Sequence, residues 1–244
     1  MMSRGKLKFW ERHAPAIWVA NYHRWRMMRR GEKEIRLLAA IVPPTLAVDI
    51  GANLGIYTIS LADYASRVVA YEPNPWMAAH LKRLRNRKIE VRETAVSDTN
   101  GFATLYVPSD REGLRLRHER GSIESAEKQD CEAIQVARRR LDDEKLQDVG
   151  FIKIDVEGHE HSVLRGAVGI INRDRPLILL ELRKDEADKR WHIAQFAQEI
   201  HYQGFEYLDG CLEPIPQTLV SQRRNIILAP VTWQPSHKVK RISS

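Results

Sequence analysis

Three short runs in this 244-residue chain combine residue types that can hold a ligand and move a proton. The first is Asp49-Ile-Gly-Ala-Asn-Leu-Gly-Ile-Tyr57. Its glycines allow a tight turn and let a ligand approach the main chain closely. No Gly-Lys-Ser/Thr follows, so the turn is not a P-loop, and its G-x-x-x-G spacing is not the dinucleotide G-x-G-x-x-G. Asp49, ahead of the turn, suits a ligand with an ammonium or hydroxyl groups better than a pyrophosphate. The second is Glu72, roughly twenty residues on, where a carboxylate can accept both hydroxyls of a ribose. The pair points to a nucleoside ligand.

The third run is Phe151-Ile-Lys-Ile-Asp-Val-Glu-Gly-His-Glu160. Lys153 and Asp155 alternate with Ile152 and Ile154 on what reads as a central strand, where charges need partners or a ligand. Asp155, Glu157, His159 and Glu160 then crowd one turn at the strand's C-terminal end, the edge at which open α/β sheets bind ligands. The structural alternative is that Glu157 and Glu160 merely favour the start of the next helix while Lys153 pairs with one of them.

Alternating strands and helices must position these runs. Apolar spacing predicts a helix over 32–42, stopped by Pro43-Pro44, then a strand over 46–50 and a helix over 56–64. Further strands are predicted over 67–71 and 89–93, flanking a helix over 75–86. Two strands, 102–107 and 133–137, interrupt the rhythm around a polar stretch, 108–132, too long for an ordinary connection and therefore a candidate lid or specificity element. The alternation resumes with a strand over 151–155, a helix over 161–171, a strand over 176–182 and a helix over 188–202. Two late strands, 205–208 and 225–228, can pair antiparallel, and the chain from Trp233 reads as a frayed tail. This is the period of a parallel sheet with crossover helices.

The runs Val48-Asp-Ile-Gly-Ala-Asn-Leu-Gly-Ile-Tyr-Thr58, Glu72-Pro73, Ala95-Val-Ser-Asp98 ahead of Gly101, and Ile152-Lys-Ile-Asp-Val-Glu-Gly-His-Glu160 with Val163-Leu-Arg-Gly166 together form one set. The set resembles the FkbM-type S-adenosylmethionine-dependent methyltransferases. The resemblance spans roughly residues 32–230, and its specific part is Lys-Ile-Asp-Val-Glu-Gly. It implies a class I, Rossmann-like α/β fold: a seven-stranded sheet with an antiparallel last strand, a β insertion and an N-terminal helical extension. It further implies S-adenosylmethionine held around its amino-acid part by Asp49, Gly51, Asn53 and Gly55. Ala52, Tyr57 and Asp155 would complete the cofactor set, Glu72 would hold the ribose, and Thr94, Ala95 and Val96 would lie near the adenine. Two departures stand out. Pro43-Pro44-Thr45 replaces the usual Pro-Gly-Asp, and Arg139-Arg140-Leu141-Asp142 replaces a Thr-Leu-Asp on the substrate side.

Family members usually methylate hydroxyls, often on sugars or polyketides, so the implied reaction is in-line transfer to an acceptor oxygen. A hydroxyl must lose its proton, which asks for a positioned base. His159 or Asp155 is the candidate, with Glu157 orienting the acceptor. No closed set of metal ligands is visible, and this reading requires no metal.

Composition bounds the alternatives. A 43% hydrophobic share over this length allows one globular domain with an appendage and excludes disorder, and two distant cysteines exclude a disulfide scaffold. The domain is read as 43–232, the N-terminal extension as 1–42 and the tail as 233–244. Of the formal net charge of +7, residues 1–36 account for all: ten basic residues against three acidic, with the remainder balanced. That segment also holds Trp10, Trp18 and Trp25, three of six tryptophans. Trp18, Tyr22 and Trp25 share one face of a helix starting near Pro15, beside Arg26, Arg29 and Arg30, a pattern suited to contact between residues 1–30 and an anionic membrane. A second reading makes this helix a solvated cap on the domain. Cysteine usage predicts a cytoplasmic protein, peripheral at the inner membrane face where that contact forms. Basic and aromatic residues also suit nucleic acid, but the Asn/Asp-Pro-Pro-Tyr type of motif is missing and the presumed catalytic part is neutral, which argues against it. A nucleotide-binding interaction module without methyl transfer is the remaining alternative.

Overall fold

A computed structural model describes residues 14–30, 34–108, 131–182, 187–208, 211–215 and 225–235. The polar stretch over 109–130, the first 13 residues and the last nine lie outside this description, so the suggested lid does too.

Helix α1 (Ala16–Arg30) begins where Pro15 ends the preceding chain, its carbonyl accepting from Trp18 N and Val19 N. Helix α2 (Glu34–Ile41) buries Ile35, Leu37, Leu38 and Ile41, and strand β1 (Leu46–Ile50) follows. Next come α3 (Ile56–Ala62), β2 (Arg67–Tyr71), α4 (Pro75–Lys82) and β3 (Ile89–Arg92). A three-stranded insertion consists of β4 (Ala95–Val96), β5 (Gly101–Pro108) and β6 (Cys131–Arg139) in the order β4-β6-β5. The rest is β7 (Val149–Ile154), α5 (Glu160–Arg165), α6 (Val168–Asp174), β8 (Leu177–Glu181), α7 (Ala187–Glu199), β9 (Tyr202–Leu208), β10 (Cys211–Pro214) and β11 (Asn225–Pro230).

The main sheet has the order β10-β9-β11-β8-β7-β1-β2-β3. Strands β8, β7, β1, β2 and β3 pair in parallel, while β11 runs antiparallel between β8 and β9. β1, which is wholly buried, and the largely buried β7 and β8 read as near-continuous apolar runs because helices cover both their faces. The sheet has eight strands among the described residues where seven were expected. The addition is β10, a four-residue edge strand that hairpins onto β9 and ends at Pro214, too short to show a period of its own.

Three other differences have local causes. The helix predicted over 161–171 is two helices, because the chain turns at Gly166, where a Cβ would stand 1.8 Å from the Ser97 carbonyl oxygen. The helix predicted over 75–86 stops at Lys82, and Arg85 adopts a left-handed φ of 50°. Trp233, read as the start of a frayed tail, packs edge-on against Phe205 at 5.5 Å between ring centroids. No helix among the described residues is long and apolar enough to cross a membrane.

Candidate active site

The turn after β1 is knitted to the end of β2, since Gly51 N and Ala52 N both donate to the Tyr71 carbonyl at 3.0 and 3.1 Å. Gly51 and Gly55 take φ of 79° and 80°, which favours glycine. Their missing side chains serve the protein's own packing. A Cβ on Gly51 would lie 1.8 Å from the Asp155 carbonyl oxygen, and one on Gly55 would lie 2.7 Å from Leu81 Cδ2. The glycines therefore let the β1 turn sit against the end of β7 and against α4; access for a ligand is not what uses their bare Cα atoms.

Asn53, at φ 50°, aims its main-chain N–H at Glu72 Oε2 (2.8 Å), and Asn74 N donates to Oε1 (2.9 Å). Burial pushes the Glu72 carboxyl up to about 7, against the pull of these two N–H groups. Each oxygen keeps a second lone pair for a hydroxyl. Asn74 is itself fixed by capping α4 through Trp76 N and Met77 N.

Lys153 is the electrostatic centre. It is 2% exposed, its Nζ lies 2.9 Å from Asp155 Oδ2, and it sits 4.7 Å from the Tyr57 ring centroid. Burial alone would lower its pKa, but Asp155, Asp49 and Glu181 together outweigh burial and raise it. The partner of Lys153 is thus Asp155, where the structural alternative had Glu157 or Glu160. Glu160 is buried and accepts from Gly158 N at 2.9 Å. Asp49 is fully buried and accepts from Thr58 Oγ1 at 2.6 Å. Burial raises its pKa, opposed chiefly by Lys153. Its Oδ1 is buried with no hydrogen-bond partner among the described residues, a cost that a donor in the site would relieve.

His159 stands at the start of α5, 9% exposed, with Nε2 2.9 Å from Ser97 Oγ. Ser97 Oγ also lies 3.0 Å from Asp98 Oδ1. A hydroxyl has one hydrogen. If Asp98 takes it, Ser97 accepts from Nε2–H, and the lone pair of the neutral ring lies on Nδ1.

Asp49, Gly51, Ala52, Asn53, Tyr57, Glu72, Thr94, Ala95, Val96, Asp155, Glu157 and His159 line one cavity of about 370 Å³; of the residues predicted for the site, Gly55 alone is off its wall. Glu157 reaches it from a left-handed turn, φ 51°. Among the wall residues that sequence reasoning left out of the site are Lys153, Glu181, His23 and Met27. Lys153 and Glu181 carried a signal, being charges on or ending apolar strands. His23 and Met27 come from α1, and their i, i+4 spacing on the face opposite Trp18 and Trp25 was the available sign. Five carboxylates line the cavity (Asp49, Glu72, Asp155, Glu157 and Glu181) against one ammonium, Lys153. Such a wall favours a cationic ligand and disfavours a pyrophosphate. Among the described residues no group of three or more His, Cys, Asp or Glu is arranged to hold a metal ion.

Residues 49–207 match the methyltransferase FkbM domain, a span that covers more than half of the chain and contains most of this wall. The chain belongs to the FkbM methyltransferase family. No curated protein matches it. Among solved structures, an FkbM methyltransferase from Methylobacillus flagellatus is 19% identical with a TM-score of 0.49, over 75% of this chain and 42% of that one. The chain thus spans less than half the length of that relative. An O-methyltransferase from Bacillus cereus, solved with S-adenosylhomocysteine, is 15% identical with a TM-score of 0.45, over 93% and 97% of the two chains. An rRNA methylase from Streptococcus thermophilus is 12% identical with a TM-score of 0.45, over 82% and 95%.

The methyl donor of FkbM methyltransferases is S-adenosylmethionine, and the residues present fit it. Glu72 can accept from ribose hydroxyls, and the buried Asp49 Oδ1 can accept from an ammonium. The anionic wall as a whole suits a ligand that carries a sulfonium. Thr94, Ala95 and Val96 supply the less polar end on which a base can rest.

Proposed function

We propose that the chain transfers a methyl group to a hydroxyl oxygen, on a sugar, glycan or polyketide-type acceptor. The observation that carries this reading is the imidazole of His159 on the cofactor cavity's wall, steadied by Ser97. Oxygen acceptors need a base because a neutral hydroxyl is a poor nucleophile, whereas the methyl group needs no further activation. When bound, the cofactor supplies a methyl already activated on sulfur, which is released as the thioether when the O–C bond forms.

The chain's own residues then have three tasks. His159 takes the hydroxyl proton, and Ser97 holds the ring in place while it does so. Asp155 is the poorer base of the two candidates, since its Oδ2 is committed to the buried Lys153 ammonium at 2.9 Å. Its task is to keep that ammonium neutralised beside Asp49 and Glu181. Glu157, on the wall next to both, orients the acceptor by accepting from a neighbouring hydroxyl. Alignment of the oxygen with the S–C axis supplies most of the rate.

Labelled S-adenosylmethionine offered with free sugars, glycolipid headgroups and hydroxylated polyketides tests this reading. The product carries its label as an O-methyl group by NMR. His159→Ala lowers kcat by about 10²- to 10⁴-fold with S-adenosylhomocysteine binding unchanged. Label on nitrogen or carbon, or undiminished turnover in both His159→Ala and Asp155→Asn, refutes it.

A further inference from the structure

Helix α1 has two faces with different partners. Its inner face is fixed to the domain: Ala16, Val19 and Ala20 are buried, and Ala16 and Ala20 pack with Ala52, Ile59, Leu81 and Leu84. Arg24 Nη1 closes on Asp63 Oδ2 at 2.7 Å at the end of α3. The same side brings His23 and Met27 to the cofactor cavity. This seating leaves Trp18 63% and Trp25 50% exposed on the opposite side. Two tryptophans seven residues apart form one stripe, not a scatter of single apolar residues, and such stripes mark contact surfaces. Beside them Arg26 lies 5.6 Å from the Tyr22 ring centroid, and Tyr22 stacks on Trp25 at 6.3 Å. The stripe belongs to the segment that carries the chain's entire net charge of +7.

We propose that this outer face of α1 docks on an anionic lipid bilayer, with Trp18 and Trp25 entering the headgroup region and Arg26 meeting lipid phosphates. Charge complementarity identifies the partner, because a segment of net charge +7 that carries amphipathic rings matches an anionic interface on both counts. Nucleic acid fits less well. Arg26 and Trp25 already occupy the Tyr22 ring, which removes it as a stacking platform for bases. The domain beyond residue 36 is neutral and offers no long phosphate-tracking track. Since one helix carries the docking stripe and a wall of the cavity, a docked chain holds its cavity about one helix diameter, ~10–12 Å, from the lipid surface. The proposal is independent of which atom is methylated.

The test uses the full chain and vesicles of phosphatidylcholine alone or with about one-third phosphatidylglycerol, in co-sedimentation at low and high salt. Binding occurs on the anionic vesicles, weakens with salt, and falls about tenfold or more in Trp18→Ser/Trp25→Ser. Neither substituted side chain lies on the cavity wall, so the variant keeps its calorimetric affinity for S-adenosylhomocysteine. Absence of binding to anionic vesicles, or equal binding by the variant, overturns the proposal whatever the calorimetry shows. So does Trp-dependent binding to single-stranded RNA without vesicle binding, or a dimer in sedimentation that the variant dissolves. Vesicle binding by a chain that does not bind S-adenosylhomocysteine leaves docking standing and removes the methyl-transfer reading instead.

Discussion

Glu72 links cofactor binding to pH in a way that can be worked out from its surroundings. The carboxylate is 7% exposed, is held by Asn53 N and Asn74 N, and is pushed by burial up to about 7 from its usual 4.5. Ribose hydroxyls donate, so they are held by the ionised form. In the free protein that form makes up about one-tenth of molecules at pH 6 and about nine-tenths at pH 8. Apparent affinity scales with the competent fraction, so the Kd for S-adenosylhomocysteine falls about tenfold between these pH values, or about 1.4 kcal/mol. The sign for folding is opposite. A carboxyl raised in the folded state costs stability as pH rises from its unfolded value through the folded one, about 3 kcal/mol once pH exceeds 7. Glu72→Gln keeps the size and cannot ionise, so it binds more weakly and without this slope. Titration calorimetry at pH 6, 7 and 8, in buffers of different ionisation enthalpy, reads both the affinity and the proton released. A Kd that does not change with pH refutes the linkage. A tenfold slope that survives in Glu72→Gln assigns it to another group.

Three further outcomes follow from the packing. Gly51→Ala combines a φ of 79° with a Cβ 1.8 Å from the Asp155 carbonyl oxygen, and costs at least about 2 kcal/mol, a fall of roughly 4 °C or more in Tm; an unchanged Tm counts against the reading of that turn. Lys153→Met removes the chief countercharge of the fully buried Asp49 and costs about 3 kcal/mol at pH 7, less at pH 5, toward which the raised pKa of Asp49 favours its neutral form. Urea denaturation at the two pH values compares them, and an equal cost at both is the contrary result. His23→Ala with Met27→Ala weakens S-adenosylhomocysteine binding about fivefold, roughly 1 kcal/mol; unchanged calorimetric affinity would remove α1 from the working wall.

The order of strands and helices was legible because each central strand is an apolar run that ends at a turn rich in glycine or acidic residues, as at Asp49–Gly51 and Asp155–Gly158. Those turns also carry most of the cavity wall, so motif and site coincide. What stayed hidden depends on contacts distant in sequence. Gly55 reads as a ligand-facing glycine until Leu81 and Leu84 are seen against it, and Gly166 reads as mid-helix until Ser97 approaches. The position of α1 was hidden for a different reason. Its charge and tryptophans dominate the segment, while the small residues that seat it, Ala16, Val19 and Ala20, are individually unremarkable in sequence. His23 and Met27 therefore read as part of an extension although they stand on the cavity wall.

The balance of charge across α1 follows from these positions. The domain beyond residue 36 is neutral overall, yet its cavity gathers five carboxylates around one ammonium. Such a wall attracts a ligand that carries a sulfonium and an ammonium, and it attracts the corresponding neutral thioether less by one charge. The basic residues that would blunt that field must be kept off the wall. Arg24 is held to Asp63 at the end of α3, and Arg26 lies over Tyr22 on the outer face. Only the imidazole of His23 and the thioether of Met27 reach inward from the described part of this helix. The placing of Arg24 on Asp63 and of Arg26 over Tyr22 thus keeps both guanidinium groups off the anionic wall, which makes His23→Arg a more damaging change for cofactor binding than His23→Ala.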